Sequence, residues 1–231
     1  MSAVTLGLKI PLASARTRRD SAVPETAVPF VAAGDGAAAG PVSADLDGRI
    51  AGSVALLRRA VADYSPVVYS CSLGVEGVLL VDLICTHVPQ VEILTLDTGR
   101  LPEETHYLLE RLERRYGRRI TVVTPDPAEI AALVAKQGIN GFFHSLEARK
   151  NCCETRKLAP FRRATAGNRA WVTGVRRAQS AARATGLDLA WDEQYSLYKV
   201  SPLLDWSDED VWAYVRSRDV PYNALHDRGF P

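Results

Sequence analysis

Short apolar runs separated by polar turns punctuate the chain, and their spacing changes between helical and extended periods. Ile50, Val54, Leu57 and Val61 recur at helical spacing, predicting a helix from a cap at Asp45 or Asp47 to about Tyr64. Pro66-Val67-Val68-Tyr69-Ser70 is a short continuous run and reads as a buried strand. The loop Cys71-Ser72-Leu73-Gly74-Val75-Glu76-Gly77 follows, and Val78 to Ile84 begins a helix. Val91 to Leu96 is a second strand, ending in Asp97-Thr98-Gly99. Pro102 stands where a helix can start, with Glu103 and Glu104 in the first turn; that helix runs to Tyr116 and stops at Gly117. Arg119 to Thr124 is a third strand and Asp126 to Gln137 another helix.

The order strand, helix, strand, helix, strand, helix predicts an α/β domain: a parallel sheet with helices on both faces. A run from Asn151 to Pro160 looks helical, and Ala170-Trp171-Val172-Thr173-Gly174 reads as a fourth strand. Tyr198 to Leu203 is a fifth, followed by a helix through Arg216 with Ser207 as its N-cap and Asp210 in the capping-box position. Trp206 and Trp212 read as core anchors. Ligands on such sheets bind beyond the carboxyl ends of the strands, where Ser70–Gly74, Asp97–Gly99 and Gly174–Arg177 all fall.

Composition narrows the class. The chain has 231 residues, 47% of them apolar and 24% charged, with a net charge of +1, which marks it as neither a nucleic-acid nor a membrane-surface binder. No apolar run approaches the length of a membrane span. Four cysteines, Cys71, Cys85, Cys152 and Cys153, are too few and too unevenly placed for a secreted disulfide framework, so a cytoplasmic location is expected. Residues 1–44 are rich in Ala, Gly, Pro and Ser and read as a disordered tail, leaving 45–231 as the folded domain.

The candidate chemistry centres on Cys152-Cys153, four and five residues ahead of Lys157 and flanked by Arg149, Lys150 and Arg156. Adjacent cysteines rarely bridge each other, because the ring strains the peptide between them. Two soft thiolates in a basic setting suggest a metal or iron–sulfur site beside an anion binder; a pair of small buried cysteines is the plain alternative. The loop from Ser70 through Ser72 to Gly74 sits between a strand and a helix N-terminus, where backbone N–H groups can meet a phosphate, although it lacks the Gly-Lys-Ser/Thr ending of a Walker A loop. Arg176 and Arg177 leave the end of the fourth strand and suit phosphate or sulfate oxygens, with Gln179, Ser180 and Arg183 nearby. Were the ligand a nucleotide, Gly174 would let the chain approach its ribose closely. Cys71 and Cys85 read as core thiols, and His87, His106 and His144 carry no metal-ligand spacing.

Taken in order, Ser70-Cys71-Ser72-Leu73-Gly74-Val75-Glu76, Leu96-Asp97-Thr98-Gly99, Cys152-Cys153 with Arg156-Lys157, Trp171 through Ser180, Pro202-Leu203-Leu204-Asp205-Trp206 and Pro221 through Asp227 resemble the assimilatory sulfonucleotide reductases. The similarity is to the iron–sulfur type acting on adenylyl sulfate. It implies an adenine nucleotide α-hydrolase-like fold, related to the small subunit of ATP sulfurylase. It also implies a [4Fe–4S] cluster marked by Cys152 and Cys153, and a nucleotide site at Ser70, Ser72, Gly74, Asp97, Lys157, Gly174, Arg176 and Arg177. In such enzymes a C-terminal cysteine attacks the sulfur of the phosphosulfate, and thioredoxin or a similar dithiol releases sulfite. A homo-oligomer fits the same resemblance.

One departure matters. The Cys-x-x-Cys pair expected after Gly229-Phe230-Pro231, and the later Glu-Cys-Gly-Leu-His, do not occur in the 231 residues. The expectation is therefore a C-terminally truncated reductase that supplies two of four cluster ligands and lacks the nucleophilic cysteine. Two other readings compete with it. One is a non-catalytic nucleotide-binding fragment; the other is a nucleotidyl transferase related to the ATP sulfurylase small subunit, which would not need Cys152-Cys153.

Overall fold

The computed structural model describes residues 44–179 and 186–230. The tail assignment for residues 1–44 falls almost wholly outside them, as do Ser180 and Arg183. Seven α-helices and six strands are seen among the described residues, in the order α1 (Ala44–Tyr64), β1 (Val67–Cys71), α2 (Val75–His87), β2 (Glu92–Leu96), α3 (Glu103–Tyr116), β3 (Thr121–Val123), α4 (Pro127–Gln137), α5 (Leu146–Cys153), α6 (Ala159–Thr165), β4 (Ala170–Val172), β5 (Leu189–Asp192), β6 (Leu197–Val200) and α7 (Asp208–Ser217).

The strands form one sheet in the order β3-β2-β1-β4-β6-β5. Five are mutually parallel, as the alternation of elements predicts. The sixth is an addition to the five strands read from sequence: β5 runs antiparallel to β6, pairing Leu189 with Val200 and Asp192 with Leu197. It is a four-residue edge strand with no buried residue, so it carries no core-strand signal. The chain builds outward from β1 to β3, then returns to place β4 on the other side of β1. On such sheets ligands bind where the order reverses, which here is beyond the carboxyl ends of β1 and β4.

The apolar run in α2 explains where the core sits. Val75 and every residue from Gly77 to Ile84 are buried, as expected of a helix that is apolar all round. Each Leu, Ile or Val buried there contributes roughly 1.5–3 kcal/mol. Helices α1 and α7 pack against α2. Helix α3 joins them through Asp82, whose buried carboxylate accepts hydrogen bonds from Tyr116 Oη at 2.7 Å and from Tyr214 Oη. The opposite face is set by the two-residue period of β4. Ala170 and Val172 face the α2 core, whereas Trp171 meets Phe161 of α6 edge-on at 5.1 Å.

Local signals end the helices as the sequence predicts. Gly117 closes α3 in the left-handed region, Asp126 accepts from the N–H groups of Ala128 and Glu129, and Ser207 with Asp210 forms a complete capping box.

Candidate active site

Three loops leave the same sheet edge. The first runs from β1 to α2. Its tight path puts Leu73 at φ 60°, a left-handed conformation costing roughly 1–2 kcal/mol in a residue with a side chain. Burial of Leu73 and a contact from its N–H to Cys71 Sγ at 3.4 Å hold it there. Ser72 is exposed beside Gly74, whose N–H points to Ser72 Oγ at 3.4 Å. Burial pushes the Cys71 thiol up to about 11, which keeps it protonated and unreactive.

The second loop follows β2. Asp97 Oδ1 accepts from the N–H of Gly99 at 2.8 Å, and Oδ2 contacts His106 Nε2 at 3.0 Å. Burial alone would raise the Asp97 carboxyl, but these two contacts outweigh it and hold the group below its ordinary range. Gly99 adopts φ +68°, and a Cβ there would lie 3.4 Å from Arg156 Nη1.

Through that arginine the cysteine segment reaches the sheet. The run expected over Asn151–Pro160 is helical throughout, but its pitch changes: α5 begins at Leu146 behind the Ser145 cap and ends at Cys153, a π turn spans Glu154–Leu158, and α6 continues from Ala159. Arg156 is buried in the π turn and donates from Nη1 to the carbonyl of Thr98 at 2.6 Å. Thr98 lies between Asp97 and Gly99, so one hydrogen bond ties the Cys152–Lys157 segment to the end of β2. Lys157, next in sequence, is exposed and has no ion pair among the described residues.

After β4 comes the third loop. Arg176 is 4% exposed. Its Nε donates to Glu76 Oε1 at 2.9 Å, Nη2 lies 2.8 Å from the same oxygen and also pairs with Asp208, and Nη1 donates to the Trp206 carbonyl at 3.4 Å. Arg177 pairs through Nε with Asp205 at 2.5 Å. Both guanidinium groups, expected from sequence to hold phosphate or sulfate, are thus engaged by carboxylates. Gly174, expected to admit a ribose, brings the chain against α2: a Cβ there would lie 3.2 Å from Glu76 Cβ.

Sequence reasoning passed over Arg156 and Glu76 as site residues. Arg156 has a signal, a cation next to Lys157 within the cysteine run. Glu76 lies in the first turn of α2, where a carboxylate is favourable for the helix alone, so nothing marks it out.

Cys152 and Cys153 are half-buried free thiols at the end of α5. Among the described residues no group of three or more His, Cys, Asp or Glu side chains could hold a metal ion. A cubane iron–sulfur cluster takes four thiolates. The described residues therefore fit half of such a site and not the whole. No helix among them is long and apolar enough to cross a membrane.

A mostly parallel sheet whose order reverses beside β1, with three loops at that edge, is an adenine nucleotide α-hydrolase-like fold. Solved structures share the architecture. Phosphoadenylyl-sulfate reductase from Candida auris, in a phosphate complex, superposes with a TM-score of 0.67 at 24% identity, covering 80% of this chain and 91% of that one. The NH3-dependent NAD synthetase of Campylobacter jejuni gives 0.58 at 12% identity, over 82% and 80%. Sequence narrows the class further. Residues 66–231 match the phosphoadenosine phosphosulfate reductase domain, and the chain belongs to that family of reductases. It is 45% identical to the adenosine 5′-phosphosulfate reductase of Allochromatium vinosum, over 79% of this chain and 72% of that protein. It is 40% identical to the protein of the same name from Agrobacterium fabrum, over 81% and 69%.

Proposed function

We propose that the chain is the nucleotide-binding part of an adenylyl-sulfate reductase of sulfate assimilation. The observation that carries this is the tether from Arg156 to Thr98, which fixes Cys152, Cys153 and Lys157 to the sheet edge that holds the Ser70–Gly74 and Asp97–Gly99 loops. Its relatives' names support the choice of substrate. AMP and its phosphosulfate ester would lie beyond the carboxyl ends of β1 and β4, with the α2 N-terminus and Ser72 at the phosphate. Lys157, next to the tether and without an ion pair among the described residues, would offset charge developing on the departing phosphate through its ammonium.

In the reaction a cysteine thiolate attacks the sulfuryl sulfur, forming an S–S bond and breaking the S–O bond to phosphate; AMP leaves with the electron pair. A dithiol of the thioredoxin type then displaces sulfite and becomes a disulfide, so two electrons pass from the dithiol to the sulfuryl sulfur. Cys71 is too buried and too weakly acidic to attack. The nucleophile, and two further ligands of a [4Fe–4S] cluster held in part by Cys152 and Cys153, are proposed to come from outside these 231 residues. A cytoplasmic location and a homo-oligomer complete the reading.

Calorimetric titration with AMP and adenylyl sulfate, beside an assay for sulfite with reduced thioredoxin, tests it. The 231-residue chain is expected to bind both nucleotides and release no sulfite. Absence of nucleotide binding refutes the site, and sulfite release by this chain refutes the assignment of the nucleophile.

A further inference from the structure

We propose that Glu76 is a positioning residue: its carboxylate clamps the loop after β4 onto the first turn of α2 and so sets the gap that a nucleotide phosphate enters. The inference rests on the nucleotide site proposed above and concerns what gives that site its shape.

One oxygen, Glu76 Oε1, takes three donors from the other loop. Arg176 Nε stands at 2.9 Å, Arg176 Nη2 at 2.8 Å and Gln179 Nε2 at 3.0 Å. Gln179 turns back on its own loop, accepting from the Arg176 N–H at 3.2 Å. Glu76 and Arg176 side chains are 18% and 5% exposed, so water screens their attraction weakly. Close approach reinforces the clamp, because a Cβ at Gly174 would lie 3.2 Å from Glu76 Cβ. The two loops joined this way follow β1 and β4, the neighbouring strands at which the order reverses and beyond which ligands of such sheets bind.

A carboxylate at the mouth of an anion site repels the anion if it acts through charge alone. Here Arg176, shared with Asp208, offsets part of that charge, and what Glu76 is proposed to supply is geometry. The two roles have opposite signs when the charge is removed. If Glu76 acts by repulsion, Glu76→Gln binds nucleotide phosphate more tightly. If it acts as a clamp, Glu76→Gln binds more weakly, because the amide cannot hold the guanidinium and Gln179 together. Glu76→Asp separates the roles again, since it keeps the charge and loses the reach.

The test is calorimetric titration of wild type, Glu76→Gln and Glu76→Asp with AMP and, separately, with adenosine. Loss of the charged hydrogen bonds is expected to weaken AMP about tenfold in both variants and adenosine far less. A general loss of structure would weaken the two ligands alike, so an unchanged ratio of AMP to adenosine affinity overturns the clamp. AMP affinity in Glu76→Gln equal to or above wild type also overturns it. Should Glu76→Gln not fold, Glu76→Asp carries the same comparison. A wild-type protein that binds no AMP overturns the nucleotide site and this inference with it, whereas failure confined to the variants' expected loss overturns Glu76 alone.

Discussion

Replacing Gly174 by alanine adds one methyl group at the point where the β4 loop meets α2. The new Cβ would lie 3.2 Å from Glu76 Cβ, 3.6 Å from Leu80 Cδ1 and 3.8 Å from the Glu76 carbonyl carbon. Carbon atoms pack best at about 3.5–4.0 Å, so the first contact is too close. Glu76 Cβ is fixed by the helix backbone and has no torsion to relieve the clash. The loop is pinned on both sides, by Thr173 N–H to the Val200 carbonyl at 2.9 Å and Arg177 N–H to the Leu204 carbonyl at 2.8 Å. Overpacking of this kind costs roughly 1–3 kcal/mol, and the lower entropy of an unfolded alanine chain returns about 0.4–1 kcal/mol. The net, between about 0 and 2.6 kcal/mol and centred near 1, corresponds to a fall in Tm of up to about 10 °C and centrally about 2–4 °C for a domain of this size. Gly48→Ala and Gly52→Ala make the same chemical change inside α1, where nothing lies within 4 Å of either added Cβ. Each should instead stabilise by roughly 0.5–1 kcal/mol. Thermal and urea melts of the three variants measure the contrast, and AMP titration of Gly174→Ala should show weaker binding as the loop shifts. A Gly174→Ala protein that melts at or above wild type refutes the close packing of these two loops.

Three further outcomes are expected. Lys157→Ala, at an exposed cation without an ion pair, should leave stability within about 0.5 kcal/mol while sharply lowering turnover in a polypeptide that carries the nucleophile; equal falls in Tm and rate would place Lys157 in the fold instead. Arg156→Gln should loosen the π turn and raise the rate at which thiol reagents modify Cys152 and Cys153 several-fold, and an unchanged rate would show that the bond to Thr98 restrains nothing. The Cys71 thiol is raised to about 11 in the fold, so its stabilising effect is complete below the unfolded thiol pKa and is lost as pH rises through about 11; urea melts should show about 2–3 kcal/mol lost over that range, and less in Cys71→Ser.

Much of the fold is legible because its signals are local. Val67–Tyr69 and Ile93–Leu94 are continuous buried runs, Gly117 and Asp126 are helix punctuation, and the alternation of elements fixes the parallel core. What escapes notice depends on partners distant in sequence. β5 exists because β6 offers it an antiparallel edge, and its own residues carry no period that demands a strand. The π turn at Glu154–Leu158 requires one extra residue per turn, which neither propensity nor hydrophobic spacing encodes.

The arginines show the same limit at the site. From sequence, Arg176 and Arg177 are two cations at a strand end, and electrostatics alone assigns them to an anionic ligand. In the fold, Glu76 lies 100 residues from Arg176, and Asp205 lies 28 from Arg177. These carboxylates arrive from α2 and from the segment before α7, and they convert free charge into braces between loops. Arg156 moves the other way: buried with the Thr98 carbonyl as its partner, it carries the cysteine segment to the β2 loop. Lys157, like Arg149 and Lys150, is exposed with no ion pair among the described residues, and it is the one of the three adjacent to the Arg156 tether, so it is the cation proposed to meet the nucleotide directly. Substitutions at Arg176 should accordingly change stability along with affinity, whereas those at Lys157 should change affinity or rate by themselves.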